Sequence, residues 1–516
     1  MGMKSPSESL TYLKQNIKKE WKVAFLSAFL LGLLMHAPVM LRDIPNHDGL
    51  DSMHFSQNMI ISGRWFLSVA CGLSSYYTLP WLIGILAMVY LSLTSVVLVD
   101  LLEVKNKTRI ILISALLVSF PAVASTFAYV FTMDGYMLGL LLIVLSVWFT
   151  KKKRLGFVYG AVCLALGLGI YQAYLPFAML LCIYCLVMLI IDKGESKEKL
   201  HNALHYIYMG GFGTLLYYVI LQILLKVQGT QIGDYQEGSS LGVTGSGHLF
   251  SGIKRMYVDF FTFSVKGNIF VNNIFSTVAV IFLLLVVTVL LIRMALSRGW
   301  IKRPEFYFIL VGVVVAIPIA TNIMLFIFPD LTYHSLMRYQ WILFPIVLIG
   351  IADKYGKDAG IRVPCEWVIL ISSCVLIWNY FVTDQIAYAN LEKKYEKTYA
   401  YCIRLLDRIE QTPGYYQGIP IAMIGVVGEE SYPQTDITGD VTRSMIGING
   451  DMLLYTGNNY ELFIQHYLGA TLNILPAESM EQMYYSQEYR EMESFPGKDS
   501  IKIMDGIMYI KTENKE

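Results

Sequence analysis

The stretch from Val23 to Leu41, VAFLSAFLLGLLMHAPVML, decides the fold. It carries no acid, lysine or arginine over a length that matches a hydrocarbon core, which takes roughly 20 helical residues to cross. No small-residue cleavage pattern comes after it, so it reads as a retained span and not as a cleaved signal peptide. Immediately beyond it stands Asn46-His47-Asp48-Gly49-Leu50-Asp51-Ser52-Met53-His54. Two carboxylates and two imidazoles thus sit where a membrane helix emerges into water. Charged groups close to hydrocarbon are expensive and persist mostly where they act on something.

The rest of the chain repeats the apolar pattern. Hydrophobic residues make up 55% of the sequence and charged ones only 15%, and the mean hydropathy is +0.52. A soluble protein of this composition would expose too much apolar surface to stay dispersed. Apolar runs predict helices near 23–41, 80–102, 109–124, 134–150, 156–171, 175–192, 204–227, 270–292, 305–328, 339–352 and 365–383. That is about eleven crossings by the length criterion, and the fold class is an all-α polytopic membrane protein. A net charge of +1 gives no reason to expect a nucleic-acid partner. Cys182 and Cys185 have C-x-x-C spacing but lie in an uninterrupted apolar helix, where small packing residues are the better reading than a redox or zinc pair.

Basic residues orient the stack. Lys14, Lys18, Lys19 and Lys22 precede the first span, Lys105, Lys107 and Arg109 follow the second, and Lys151 to Arg154 follow the fourth. Lys193, Lys197 and Lys199 follow the sixth, Arg293, Arg298, Lys302 and Arg303 the eighth, and Lys354, Lys357 and Arg362 the tenth. Every second loop is basic, which predicts a cytoplasmic amino terminus for a protein of the cytoplasmic membrane. The other loops and the tail are then extracytoplasmic. Three regions follow: a cytoplasmic segment 1–22, a transmembrane domain 23–384 and an extracytoplasmic α/β domain 385–516. In the last, an amphipathic helix is expected over 386–411, a strand from Ile419 to Val426, and a hairpin over Ile501 to Lys511 closed on Asp505-Gly506. The loop 228–268 holds a Gly/Ser-rich stretch, Glu237 to Gly247, that is flexible by composition.

The expected external loops carry the candidate chemistry. A helix starting near Asn46 and continuing through Leu50 to Ile61 along the membrane surface would put Asp48 and Asp51 on one face. One carboxylate could then act as general base on a hydroxyl, against the plainer reading of a helix cap and a solvated charge. A divalent-metal site from His47, Asp48, Asp51 and His54 is chemically reasonable and ranks below acid–base work. Asp134 opens a span within Phe131-Thr132-Met133-Asp134-Gly135-Tyr136, as a site residue or as a cap at a helix amino terminus. Arg338 begins a late span and either snorkels or binds phosphate in a bidentate fork. Arg64, Lys254 and Arg255 add positive charge. No other cofactor is expected.

The order of these features resembles the bacterial Gtr type II glucosyltransferase family, integral membrane enzymes of the GT-C superfamily. The matching pieces are Asn46-His47-Asp48-Gly49-Leu50-Asp51, Ser62-Gly63-Arg64-Trp65, Phe131 to Leu138, Gly169-Ile170-Tyr171-Gln172-Ala173-Tyr174, and Arg338. The likeness covers most of residues 20–385. It implies a transferase that moves a sugar, glucose or another hexose, from a polyprenyl-phosphate donor to a cell-envelope glycan acceptor, with inversion. It also implies that an acidic residue of the first external loop, here Asp48 or Asp51, is the catalytic base. Substrate contacts are then expected from Asp134, Arg338, Arg64, Lys254, Arg255, Tyr171 and Gln172. The rival reading is a flippase that moves a lipid-linked sugar without chemistry; such transporters favour mid-membrane charges and repeated halves, neither of which stands out here.

Overall fold

A computed structural model describes residues 5–8, 16–53, 57–74, 77–191, 196–233, 246–328, 331–356, 363–424, 441–449, 454 and 457–512. His54 and most of the Glu237 to Gly247 stretch lie outside the described residues. The chain is mostly helical, with a small sheet near its carboxyl terminus.

Helices stand at all eleven expected places, but the count of crossings differs. Seven described helices are long and apolar enough to span a bilayer. An eighth forms if α4 (Lys107–Ser119) and α5 (Pro121–Phe127), bent by 43°, count as one. The bend has a local cause: Pro121 forbids a helical conformation at Phe120, which is extended at φ −68° and ψ 130°. Other helices are too short. α7 (Gly156–Ile170) has 15 residues and α13 (Leu343–Tyr355) has 13, roughly 20 Å of rise each at 1.5 Å per residue. Each abuts a 3₁₀ turn, Gln172–Tyr174 after α7 and Tyr339–Ile342 before α13. Apolar composition reads the whole crossing and cannot see where the helix stops short.

The helices pack in chain order. α1 (Lys19–Leu41) lies against α3 (Pro80–Leu102) and α4, α3 against α6 (Met133–Lys152), and α6 against α7. α7 then packs on α9 (Ser196–Gln228), and α11 (Ile274–Ser297) on α14 (Val363–Glu410). Their ends sort by charge. Asp100 takes Lys18 at 2.7 Å and the indole N–H groups of Trp21 and Trp148. Glu103 meets Lys151, Lys152 and Lys354, and Arg109 bridges Asp353 and Glu366. Arg298 stacks over Tyr355. The loops whose basic residues alternate along the sequence therefore meet at one end of the bundle.

Three expected elements are revised. The first loop forms only a five-residue helix, α2 (His47–Asp51), capped by the Asn46 side chain, which accepts from the Gly49 N–H at 2.7 Å. It does not continue to Ile61, because Gln57 takes a φ of 56° and Met59 bridges to Arg64. Much of the expected 228–268 loop is α10 (Ser246–Lys266), whose Met256 and Phe263 are buried. The amphipathic helix expected from 386 is no separate element, since α14 runs 48 residues without a break. It carries the transmembrane bundle straight into the tail. There β1 (Pro420–Ile424), β2 (Asn473–Ile474), β3 (Ile501–Met504) and β4 (Ile507–Lys511) form a sheet in the order β2-β1-β4-β3. The β3–β4 hairpin turns on Asp505 and Gly506, both with positive φ, as a type I′ turn requires.

The Arg109 cluster gives a stability test. Its guanidinium is buried between two carboxylates, and deleting one partner of such a group costs about 3–5 kcal/mol. The exposed Lys105–Glu20 pair contributes about 0–1 kcal/mol. Thermal melting of the detergent-purified protein should fall sharply for Arg109→Leu and hardly move for Lys105→Ala.

Candidate functional site

The end of the bundle opposite the ionic network collects most of the candidate residues, and short backbone elements place them. Gly49 of α2 rests against Phe131, which leads through a 3₁₀ turn into α6 and Asp134. Asp134 is fully buried. One of its oxygens accepts the Gly135 N–H at 2.8 Å, and the other has no hydrogen bond among the described residues. Gly135 is needed for close approach, because a Cβ there would stand 2.6 Å from Cys71 Sγ. At the next residue, the Tyr136 hydroxyl accepts from Arg64 at 3.1 Å, and its ring stacks on Tyr171 at 4.7 Å. Arg64 also lies over the Tyr171 ring.

Gly63 lets Arg64 reach this position. It has a φ of +74°, and a Cβ there would collide with Gln172 Nε2 and the Tyr217 hydroxyl. Gln172 in turn donates to the Ser62 carbonyl at 2.9 Å and to Tyr217 at 3.0 Å. Arg64, Tyr171 and Gln172 open onto a cavity of about 770 Å³ between α7, α9 and the Met324–Met337 segment. Leu168, Leu221, Leu225, Met324, Ile327 and Phe328 make its apolar wall, and Lys226 also lines it. Neither Asp48 nor Asp51 lines it.

The two aspartates face the tail. Asp51 accepts from Asn458 of α15 (Gly457–Phe463) at 2.7 Å. Burial pushes its carboxyl above the usual range and the like charge of Asp48 adds to this, against the opposing effects of His47, Asn458 and Asn459. Asp48 pairs with His47 at 3.3 Å and is half exposed. Burial holds His47 below the ordinary imidazole value, opposed mainly by Asp48. Among the described residues no three His, Cys, Asp or Glu side chains gather as metal ligands do.

The remaining basic candidates are spoken for or displaced. Arg338 donates a bidentate fork to Asp259 of α10 at 2.6 and 2.8 Å, and its Nε donates to the Tyr333 carbonyl. Phe263 and Tyr333 sandwich the same guanidinium at 4.2 Å each. Arg255 donates to the Leu331 carbonyl at 3.0 Å, and Lys254 is exposed on the same helix.

Sequence reasoning passed over Asp259 and the tail residues around α2. Asp259 lay in a stretch read as loop, although Met256 and Phe263 flank it at helical spacing. The tail gave no signal of its own, because Asn458 is far from Asp51 in the chain and ordinary in type. Its docking is nonetheless dense. Asn390 and Lys394 of α14 donate to the carbonyls of Ile448 and Asn449, each at 2.8 Å. Ser335 binds the Ser444 carbonyl through both its N–H and its hydroxyl, and Tyr467 donates to Asp43 at 3.3 Å.

Comparison with known proteins agrees with the pattern of motifs: residues 37–348 match the glucosyl transferase GtrII family. No curated protein and no solved structure matches the chain.

The Arg338–Asp259 fork predicts coupling. Arg338→Leu and Asp259→Leu should each lower the melting temperature in detergent, and the double variant should lose less than the two losses added. A coupling of about 0.5–3 kcal/mol is expected for groups in direct contact; strict additivity would show that the fork contributes nothing.

Proposed function

Because the chain belongs to the glucosyl transferase GtrII family, we propose that it transfers a hexose from a polyprenyl-phosphate donor to a cell-envelope glycan on the outer side of the cytoplasmic membrane, with inversion. The observation that carries this reading is the cavity. It is a mostly apolar chamber whose lining includes Arg64 and Lys226, which suits a lipid chain ending in a phosphate. Guanidinium and ammonium groups favour phosphate oxygens there. Arg338 is reassigned, since its fork is filled by Asp259; its part is to hold α10 against the 331–338 segment beside the cavity. Asp134 is buried two residues before Tyr136 on the same helix.

Asp51 is the base in this reading, and Asp48 tunes it. A carboxylate held above its usual pKa is a better proton acceptor than a solvated one. Asp51 takes the proton of the acceptor hydroxyl as that oxygen bonds to the anomeric carbon. The bond from that carbon to the phosphate oxygen breaks on the opposite face, and its electron pair leaves with the phosphate. Arg64 and Lys226 stabilise the charge that grows there. One displacement inverts the centre.

The ionic network supports the orientation in this reading. Loops rich in Lys and Arg stay on the cytoplasmic side, so the end holding Asp51, Arg64 and the tail is external. In a background without native cysteines, Ser479→Cys should react with a membrane-impermeant maleimide in intact cells. Reaction only after lysis would reverse the orientation.

Purified protein with a synthetic polyprenyl-phosphate glucose tests the chemistry. Asp51→Asn should reduce transfer by about 10²–10⁴-fold, the usual share of a general base, with normal amounts of folded protein. Asp48→Asn should retain transfer. Because the Asp48 charge raises the Asp51 pKa, its removal lowers that pKa and moves the acid limb of the rate profile to lower pH. Transfer should survive EDTA. Arg64→Lys should weaken donor use, since it keeps the charge and loses the planar fork. Full activity of Asp51→Asn, or donor lipid crossing vesicles uncleaved, would defeat the proposal.

A further inference from the structure

The carboxyl-terminal half of α9 carries two stripes side by side. Leu215, Val219, Ile223 and Val227 recur every four residues and are all exposed, as a lipid-facing surface requires. Thr214, Tyr218, Gln222 and Lys226 keep the same step one residue earlier and are exposed as well. These four line the cavity of about 770 Å³, and none of the aliphatic four does. Polar groups on a membrane helix are costly against hydrocarbon and are kept where they face a water- or ligand-filled space. The depth of the stripe is set by Tyr217, whose hydroxyl donates to the Gly63 carbonyl at 3.1 Å. The Gly63–Arg64 peptide is thereby level with Tyr217 and Tyr218. Gln172 and Tyr217 are committed to that clasp, whereas Thr214, Tyr218 and Gln222 make no side-chain hydrogen bond among the described residues. Arg64 and Lys226 are charged residues of the lining, and no acidic side chain stands among its described walls.

We propose that Tyr218 and Gln222, with Thr214 one turn before them, bind the hexose of the lipid-linked donor, so that the cavity reads the sugar as well as the phosphate. The assignment rests on the cavity being the donor site. Its size falls in the range of small-molecule pockets. A four-residue step advances about 6 Å along a helix, so one pyranose ring can touch both Tyr218 and Gln222. Amides and hydroxyls both donate and accept, which matches sugar hydroxyls. The Tyr218 ring adds a flat surface for the apolar face of the sugar. These groups suit a neutral hexose. An amino sugar would bring an ammonium to a wall that holds two cations and no described carboxylate, where like charges repel with little screening. The aliphatic stripe next to the polar one keeps α9 in the bilayer while the polar one faces the ligand.

The experiment measures equilibrium binding of three lipids to the full chain in detergent by native mass spectrometry: polyprenyl phosphate, polyprenyl-phosphate glucose and polyprenyl-phosphate glucosamine. Wild-type protein should prefer the glucose lipid over the bare phosphate by roughly tenfold, the scale of one or two hydrogen bonds, and should bind the glucosamine lipid less well than the glucose lipid. Gln222→Leu and Tyr218→Ala should erase most of the preference for glucose and leave binding of the bare phosphate unchanged. Arg64→Gln should weaken all three lipids together, which separates the phosphate contribution from that of the sugar. If Gln222→Leu does not accumulate, Gln222→Glu keeps the size and supplies a carboxylate, and it should shift the ratio of the two sugar lipids toward glucosamine. Equal binding of the glucose lipid and the bare phosphate by wild-type protein overturns this proposal alone, as does a glucose preference that survives both stripe variants. Failure of every lipid to bind wild-type protein defeats the donor reading of the cavity, and this proposal with it.

Discussion

Hydrocarbon cannot hydrogen-bond a bare peptide group, so the backbone may leave the helical state only where protein or water covers it. The structure obeys this constraint in a lopsided way. Breaks at Ala128–Thr132, at Tyr171–Tyr174 and around Leu331–Ile342 all lie at one end of the bundle. The opposite end is closed instead by short loops and salt bridges. Once the breaks are gathered on one side, the polar side chains they carry are gathered too.

That gathering creates two electrostatic environments a few side chains apart. On the cavity side, Arg64 lies over Tyr171 and is partly withdrawn from water, which strengthens its pull on an anion. On the tail side, Asp43, Asp48 and Asp51 crowd a capped helix of only five residues. Burial and mutual repulsion there disfavour the charged form of Asp51 and prepare it to accept a proton. The Phe131–Gly49 contact ties α2 to the start of α6, whose Tyr136 stacks on Tyr171.

The tail is more than an appendage. Through α14 it is continuous with the bundle, and Asn390, Lys394 and Ser335 tie it down by hydrogen bonds to backbone carbonyls. Carbonyls make no demand on side-chain identity, so the loop 441–449 can be held firmly by residues whose own sequence carries little pattern. Arg338 shows the converse. Its position at the mouth of a span is what a phosphate ligand would require, yet the geometry commits its fork to Asp259, two aromatic faces and one carbonyl.

The sequence by itself determined the membrane class, the places of eleven apolar helices, the grouping of basic loops, the Asp505-Gly506 hairpin and the family motifs from Asn46 to Tyr174. All of these depend on composition, local periodicity or contiguous residues, which can be read without knowing what packs on what. Only the tertiary structure decided that α7 and α13 stop short and that α10 replaces a loop. It alone brought Asn458 to Asp51, Asp259 to Arg338 and Tyr467 to Asp43. Those pairings join residues from 79 to 424 positions apart, and no local pattern in one chain encodes a partner at that distance. Side-chain roles at this site are therefore set by which surfaces the bundle and its tail press together.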